Sequence, residues 1–125
     1  MPKTSRETAS NVTDNGVMEE RTEELGDYIV GFCHFREDAD GTPVFRGLPD
    51  DRCQSHHWGY VLRGQVTFRF ADHDEVYEAG DAYFAPPGHI PVVTADTELV
   101  EFSPAAEYRL TMEVVAGNVA ALMAR

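Results

Sequence analysis

The sequence has few basic residues and no long apolar run, and each shortage excludes a class of protein. Lysine and arginine number 10 against 22 aspartates and glutamates, for a net charge of −12. A surface this acidic repels phosphate backbones and anionic lipid. We therefore expect neither nucleic acid nor a membrane as partner. No apolar stretch approaches the roughly 20 residues of a membrane helix. Residues 1–20 also lack the apolar core of a secretory signal, which favours a cytoplasmic location.

Cysteine is scarce too, with only Cys33 and Cys53 present. In a reducing cytosol two such residues more often remain free thiols than form a structural disulfide. The sequence leaves their pairing open, because a bridge depends on a spatial separation that the chain spacing does not reveal.

Composition divides the chain into a polar segment and one domain. Residues 1–24 carry almost no large apolar side chain, so we expect a flexible N-terminal tail, with a short helix over Met18–Leu25 as the alternative for its end. The remaining residues, 25–125, are expected to form a single domain. A length of 125 residues with 42% hydrophobic content suffices for one modest core.

The domain shows the pattern of short β-strands followed by a helix. Tyr28–Phe35 is rich in β-branched and aromatic residues, and residues 57–62 and 65–70 flank a turn that predicts a hairpin. Strands punctuated every 8–12 residues are typical of a sandwich or barrel. In residues 108–123, apolar residues recur every three or four positions, which predicts a helix on the outside of the barrel, interrupted at Gly117 and Asn118.

Two segments resemble the sequence motifs of the cupin superfamily. Residues 57–64 read HWGYVLRG and resemble the end of the first cupin motif, where a strand closes with an aromatic-Val-Leu-x-Gly turn. Residues 80–88 read GDAYFAPPG and match Gly-x5-Pro-x-Gly of the second motif. The resemblance covers about residues 50–104. It implies an all-β fold, a cupin-type antiparallel β-barrel (jelly roll) with a C-terminal helix.

The resemblance also implies a metal site in the barrel, where this sequence departs from the family pattern. That pattern has two histidines as His-x-His, a glutamate a few residues later, and a histidine three residues after the second motif. Asp51, Cys53 and His57 stand at the first three positions, and Pro91 stands at the fourth with His89 nearby. These departures count against the family's usual iron or manganese site.

Cys53, His57 and His89 form an alternative set of metal ligands. Strand alternation puts Cys53 and His57 on one face, and His89 can point at the same cavity. Thiolate and imidazole suit a divalent transition metal, with zinc favoured. The alternative is a metal-free protein in which these residues only pack and hydrogen-bond. A β-bulge at this point would exchange His57 with His56.

Other residues of the expected barrel bear on its chemistry. Glu101 lies in an apolar strand. If it faces inward, burial raises its pKa and suits it to proton transfer, whereas outward it is an ordinary surface charge. Phe68, Phe70 and one of Tyr83 or Phe84 would give the cavity an aromatic surface.

These features predict a small cupin that binds a small organic metabolite in its barrel. It would act as a metal-assisted or histidine-based isomerase, cyclase or lyase, with His57 and Glu101 as catalytic residues. The alternative is a non-catalytic cupin that only binds its small-molecule ligand. We also expect a homodimer, because pairing relieves open sheet edges.

Overall fold

The computed structural model describes residues 3–124, which form two antiparallel sheets and a C-terminal helix. The strands, in chain order, are β1 (Asn11–Asp14), β2 (Met18–Leu25), β3 (Tyr28–Phe35), β4 (Ala39–Asp40), β5 (His57–Arg63), β6 (Gln65–Arg69), β7 (Asp74–Glu78), β8 (Ala82–Ala85), β9 (Ile90–Val93) and β10 (Thr97–Pro104). Helix α1 spans Ala105–Met123, and short 3-10 turns lie at Thr42–Val44 and Pro49–Asp51. The predicted all-β fold with a C-terminal helix is confirmed.

The two sheets enclose the core. One has six strands in the order β1-β2-β3-β10-β5-β8, and the other has four in the order β4-β9-β6-β7. Side chains from both sheets meet between them, because alternate residues of each strand point inward. The members of this buried cluster are Cys33, Val61, Val66, Phe68, Tyr83, Ala85, Val93 and Leu99.

The turn between β5 and β6 is a crossover between the sheets. β5 pairs with β8 and β10, whereas β6 pairs with β7 and β9. Gly64 lies between them with a φ of 84°, and an added Cβ would collide with Thr97. Glycine reaches this left-handed conformation without steric cost, which lets the chain change sheets there. The predicted hairpin is therefore wrong.

The predicted flexible tail is wrong for the residues of β1 and β2. β2 pairs with β3 along its whole length, from Met18 opposite Phe35 to Leu25 opposite Tyr28. β1 then pairs with β2 and forms the edge of the six-stranded sheet. The helix alternative for Met18–Leu25 is wrong as well. Residues 1 and 2 of the expected tail lie outside the described residues.

This polar segment is held by backbone pairing and ion pairs, which composition does not reveal. The Asn15 side chain accepts hydrogen bonds from the backbone N–H groups of Val17 and Met18 in the β1–β2 turn. Farther upstream, Arg6 lies 3.0 Å from a carboxylate oxygen of Glu98 in β10. Backbone N–H and C=O groups can pair in a ladder whatever the side chains are, so a segment poor in apolar residues can still be ordered there.

Helix α1 runs unbroken through Gly117 and Asn118, contrary to the predicted interruption. The Asn118 side chain donates hydrogen bonds to the carbonyls of Val44, at 2.7 Å, and Arg46, at 2.9 Å. One face of the helix lines the interior cavity with Met112 and other apolar side chains. The helix thus covers the cavity instead of packing on the outside of the barrel. Within residues 3–124, no helix is long and apolar enough to cross a membrane.

Candidate metal and ligand site

A cavity of about 470 Å³ lies between the sheets and α1. This volume is in the range of pockets that enclose small organic molecules. Most of its lining is apolar. Its polar lining side chains are Asn15, Glu20, Cys33, Asp38, Asp40, Cys53, Ser55, His57, His89, Glu101, Ser103, Tyr108 and Thr111.

The three residues predicted as metal ligands converge on this wall, and we refer to Cys53, His57 and His89 as the donor cluster. Cys53 and His89 form an antiparallel β-bridge, in which the Cys53 N–H donates to the His89 carbonyl at 2.9 Å. His57 begins β5 four residues after Cys53. One potential ligand atom from each residue lies within 4.8 Å of the other two, and all three residues are buried.

One pair in the donor cluster, Cys53 and His57, already has the spacing of two ligands on a tetrahedral metal, and His89 lies somewhat farther out. Zinc–sulfur and zinc–nitrogen bonds of about 2.3 and 2.0 Å put the two ligand atoms about 3.5 Å apart at a tetrahedral angle. Cys53 Sγ lies 3.6 Å from His57 Nε2. His57 Nδ1 bonds Ser103 Oγ and His89 Nδ1 donates to the Pro86 carbonyl, both at 2.7 Å. These bonds leave Nε2 of each ring for a metal, as outer partners of metal-bound histidines do.

Burial sets the protonation of the donor cluster. It lowers the pKa of His57 and of His89 to about 4, so both rings are neutral near pH 7 and have a free lone pair. It raises the pKa of the Cys53 thiol to about 12, so metal binding there releases a proton. His56 points the other way and bonds Glu107 at 2.9 Å, so the alternation predicted for this pair holds without a bulge.

Glu101, whose face the sequence left open, points inward. One of its oxygens lies 3.6 Å from His57 Nδ1, and the other accepts a hydrogen bond from the Tyr83 hydroxyl at 2.5 Å. Tyr83 reaches Glu101 across Gly59, which separates them in the strand register and whose added Cβ would collide with the Tyr83 ring. Burial raises the pKa of Glu101.

The aromatic residues divide between the two faces. Phe68 lines the cavity. Tyr83 is the inward member of its pair, and Phe84 is exposed on the outer face. Phe70 packs near His89, with ring centroids 6.0 Å apart, but it is not part of the cavity wall. The two cysteines are free thiols, as predicted.

Sequence reasoning missed Glu20 and Tyr108, a second polar group on the cavity wall. The Tyr108 hydroxyl donates to Glu20 Oε1 at 2.8 Å, and the Cys33 thiol lies 3.6 Å from Glu20 Oε2. Burial raises the pKa of Glu20. The available signal is alternation, which places Met18, Glu20 and Thr22 of β2 on one face, but the polar composition of the segment predicts a tail.

Comparisons with solved structures show the fold. An RmlC-like cupin from Shewanella frigidimarina is 20% identical with a TM-score of 0.60, over 82% of this chain and 89% of that chain. KdgF from a Halomonas species is 21% identical with a TM-score of 0.55, over 76% and 86% of the two chains. The polyketide cyclase RemF from Streptomyces resistomycificus is 16% identical with a TM-score of 0.59, over 84% and 80%.

The sequence also matches one protein family, which is more specific than the shared fold. No curated protein matches this sequence. The family described as AraC-like ligand binding domain matches residues 31–110, which is more than half of the chain. Its match runs from within β3 to the start of α1 and includes the donor cluster and Glu101. The chain therefore belongs to the AraC-like ligand-binding domain family, within the cupin superfamily.

Proposed function

We propose that this chain is a metal-assisted enzyme that binds a small organic metabolite in its cavity and acts on it as an isomerase, cyclase or lyase. The observation that carries the proposal is the convergence of three buried donor atoms on the wall of a cavity of about 470 Å³. Three protein ligands leave one tetrahedral position open, as in catalytic zinc sites. Thiolate and imidazole favour zinc among divalent transition metals, and a metal bound there supplies Lewis-acid chemistry.

The chain's own residues supply positioning and proton transfer. Ser103 and the Pro86 carbonyl orient the two imidazole rings. Glu101 faces the same cavity beside His57, where its carboxyl group can give a proton to a bound molecule or take one from it. Tyr83 holds that carboxyl group in place. Apolar side chains of α1 cover the cavity and keep bulk water from the reacting group.

Metal analysis of protein purified without a histidine tag tests the proposed site. We expect about one metal ion per chain, mainly zinc, and at least a tenfold lower content in Cys53→Ser and His57→Ala. His56→Ala is the matched control, since His56 precedes His57 but bonds Glu107 on the outer face. A cobalt-loaded protein should show thiolate-to-cobalt absorption that Cys53→Ser removes. A wild type that takes up neither metal refutes the metal-assisted function.

The family match favours a second candidate function, that of a non-catalytic ligand-binding domain. Mass spectrometry of small molecules that co-purify with the wild type and with His57→Ala separates the two candidates. An enzyme is expected to yield different bound molecules, because the variant retains unreacted substrate. The same molecule in both proteins would favour a binding domain. His57→Ala should remain folded by circular dichroism for the comparison to count.

A homodimer remains a prediction, and the outer face of the six-stranded sheet supports it. Six large apolar side chains, each 40% exposed or more, form what we call the aromatic face: Tyr28, Trp58, Tyr60, Leu62, Phe84 and Phe102. Each exposes roughly 80 Å², so two copies would bury about 1,000 Å² in total, the lower limit for a specific interface. Trp58→Glu is expected to convert a dimer to monomer in light scattering.

The free thiols are compatible with the predicted cytoplasmic location.

A further inference from the structure

We infer that the Glu20–Tyr108 pair is a second recognition site in the cavity, and that it selects an uncharged or cationic ligand with a hydroxyl or amino donor and excludes anions. This inference rests on the proposed binding of a small molecule in the cavity, and it adds the chemical class of that molecule. It does not depend on a bound metal, because neither residue belongs to the donor cluster.

The pair lies at a distance from the donor cluster along the sheet. Glu20 is in register with Cys33 and Leu99. Ser103, which orients His57, lies four residues farther along β10 than Leu99. At about 3.3 Å per residue, Leu99 and Ser103 are roughly 13 Å apart along the strand. Glu101 lies between them, opposite Gly31, so it separates Glu20 from His57 on the cavity wall. A ligand of the size of the cavity can therefore contact both.

Glu20 retains capacity to accept hydrogen bonds from a ligand. Its Oε1 receives the Tyr108 hydroxyl and its Oε2 faces the Cys33 thiol, whereas a carboxylate has about four lone-pair positions. Gly31 lines the cavity beside Oε2, and an added Cβ there would make ordinary contact with this oxygen at 3.5 Å. A hydroxyl or ammonium group of a ligand can occupy the space that this glycine leaves.

The charges of the lining exclude anions. Among the described residues, no lysine or arginine lines the cavity, whereas Glu20, Glu101, Asp38 and Asp40 do. A carboxylate or phosphate that entered near Glu20 would lose its hydration without gaining a cationic partner. The remaining lining is mostly apolar, which favours a hydrophobic body. The expected ligand is thus an apolar molecule with a hydroxyl or amino group at one end.

Two probes of the same shape test the inference. 2-Naphthol is neutral at pH 7 and carries a donor, whereas 2-naphthoate is an anion. Both probes are titrated calorimetrically into the full chain, as purified and after dialysis against a chelator. In the chelated protein, 2-naphthol should bind at least tenfold more tightly than 2-naphthoate. Equal binding of the two probes to the chelated protein overturns the inference, and so does failure of both to bind at millimolar concentration.

Variants assign the selectivity to Glu20. Glu20→Gln should reduce the preference for 2-naphthol at least threefold, and Gly31→Ala should weaken 2-naphthol binding by covering Oε2. Glu24→Gln is the matched control, since it removes one charge from the same strand at an exposed residue paired with Arg109. Unchanged selectivity in Glu20→Gln overturns the inference. Metal content measured in the same samples separates this failure from that of the proposed metal site.

Discussion

The donor cluster and the Glu20–Tyr108 pair line one cavity but are built in different ways. The donor cluster lies within residues 53–89, next to the two motif segments, and one β-bridge joins Cys53 to His89. Glu20 and Tyr108 are 88 positions apart, and they meet because β2 of the six-stranded sheet and the C-terminal helix line the same cavity. The difference teaches that a motif can locate one part of a binding site while another part depends on segments far from the motif in the sequence, here β2 and α1.

Removal of metal should have the largest effect on stability, and this effect should require an intact donor cluster. A ligand that binds the folded state alone stabilises it, by about 3 kcal/mol when its concentration is a hundred or more times the dissociation constant. Chelation is thus expected to lower the melting temperature of the wild type by roughly 10 °C. Differential scanning fluorimetry of the wild type and His57→Ala measures this. An equal drop in His57→Ala would contradict the assignment of the metal to the cluster.

Gly59→Ala should have the next largest effect. The new Cβ would collide with the Tyr83 ring and displace it from Glu101, at a cost of about 2 kcal/mol in the free energy of unfolding. Urea denaturation measures this cost.

Gly31→Ala is the matched control, because its Cβ would make only ordinary contacts beside Glu20. It should be neutral, or stabilising by less than about 1 kcal/mol. If both variants lost the same free energy of unfolding, the predicted collision with Tyr83 beside Glu101 would be contradicted.

Glu20→Gln should change the free energy of unfolding least, and it should raise this free energy where metal removal and Gly59→Ala lower it. Burial raises the pKa of Glu20 above its ordinary value of 4.5, so the folded state holds the proton more tightly than the unfolded state. This contribution is fully present below pH 4.5 and is lost as pH rises through the folded-state pKa. Glutamine, which stays neutral, should therefore stabilise the protein at pH 7 and have very little effect at pH 4.

Melting temperatures of the wild type and of Glu20→Gln between pH 4 and pH 8 measure this difference. The groups that face Glu20 are Tyr108 and Cys33, with Glu101 nearby on the same sheet. Parallel curves for the two proteins would show that the Glu20 pKa is unchanged by folding.

The sequence predicted the donor cluster better than the rest of the cavity wall, for local reasons. Cys53 and His57 are four residues apart in a segment whose alternation places both on one face, and the structure puts both on the cavity wall. His89 was predicted as the substitute for the missing histidine at Pro91, and the β-bridge brings it to Cys53. Their roles as ligands stay predictions until metal is measured.

Other parts of the site could not be predicted because they depend on neighbours distant in the sequence. Glu101 lies in a strand whose alternation is clear but whose orientation is set by packing between β3 and β5. Glu20 lies in a polar segment whose composition predicts a flexible tail, yet backbone pairing with β3 orders that segment. Backbone hydrogen bonds are available to any sequence, so composition alone does not reveal them.

By itself, the sequence determined the local properties of this protein: strands with period-two alternation, an acidic composition, and two motif segments that carry His57 and the turn before His89. Only the tertiary structure decided which strands pair, that the chain changes sheets at Gly64, and that Glu20 and Tyr108 meet in the cavity. The physical reason is range. Alternation follows from the geometry of one strand, whereas strand order and burial follow from the packing of two sheets and a helix around one core.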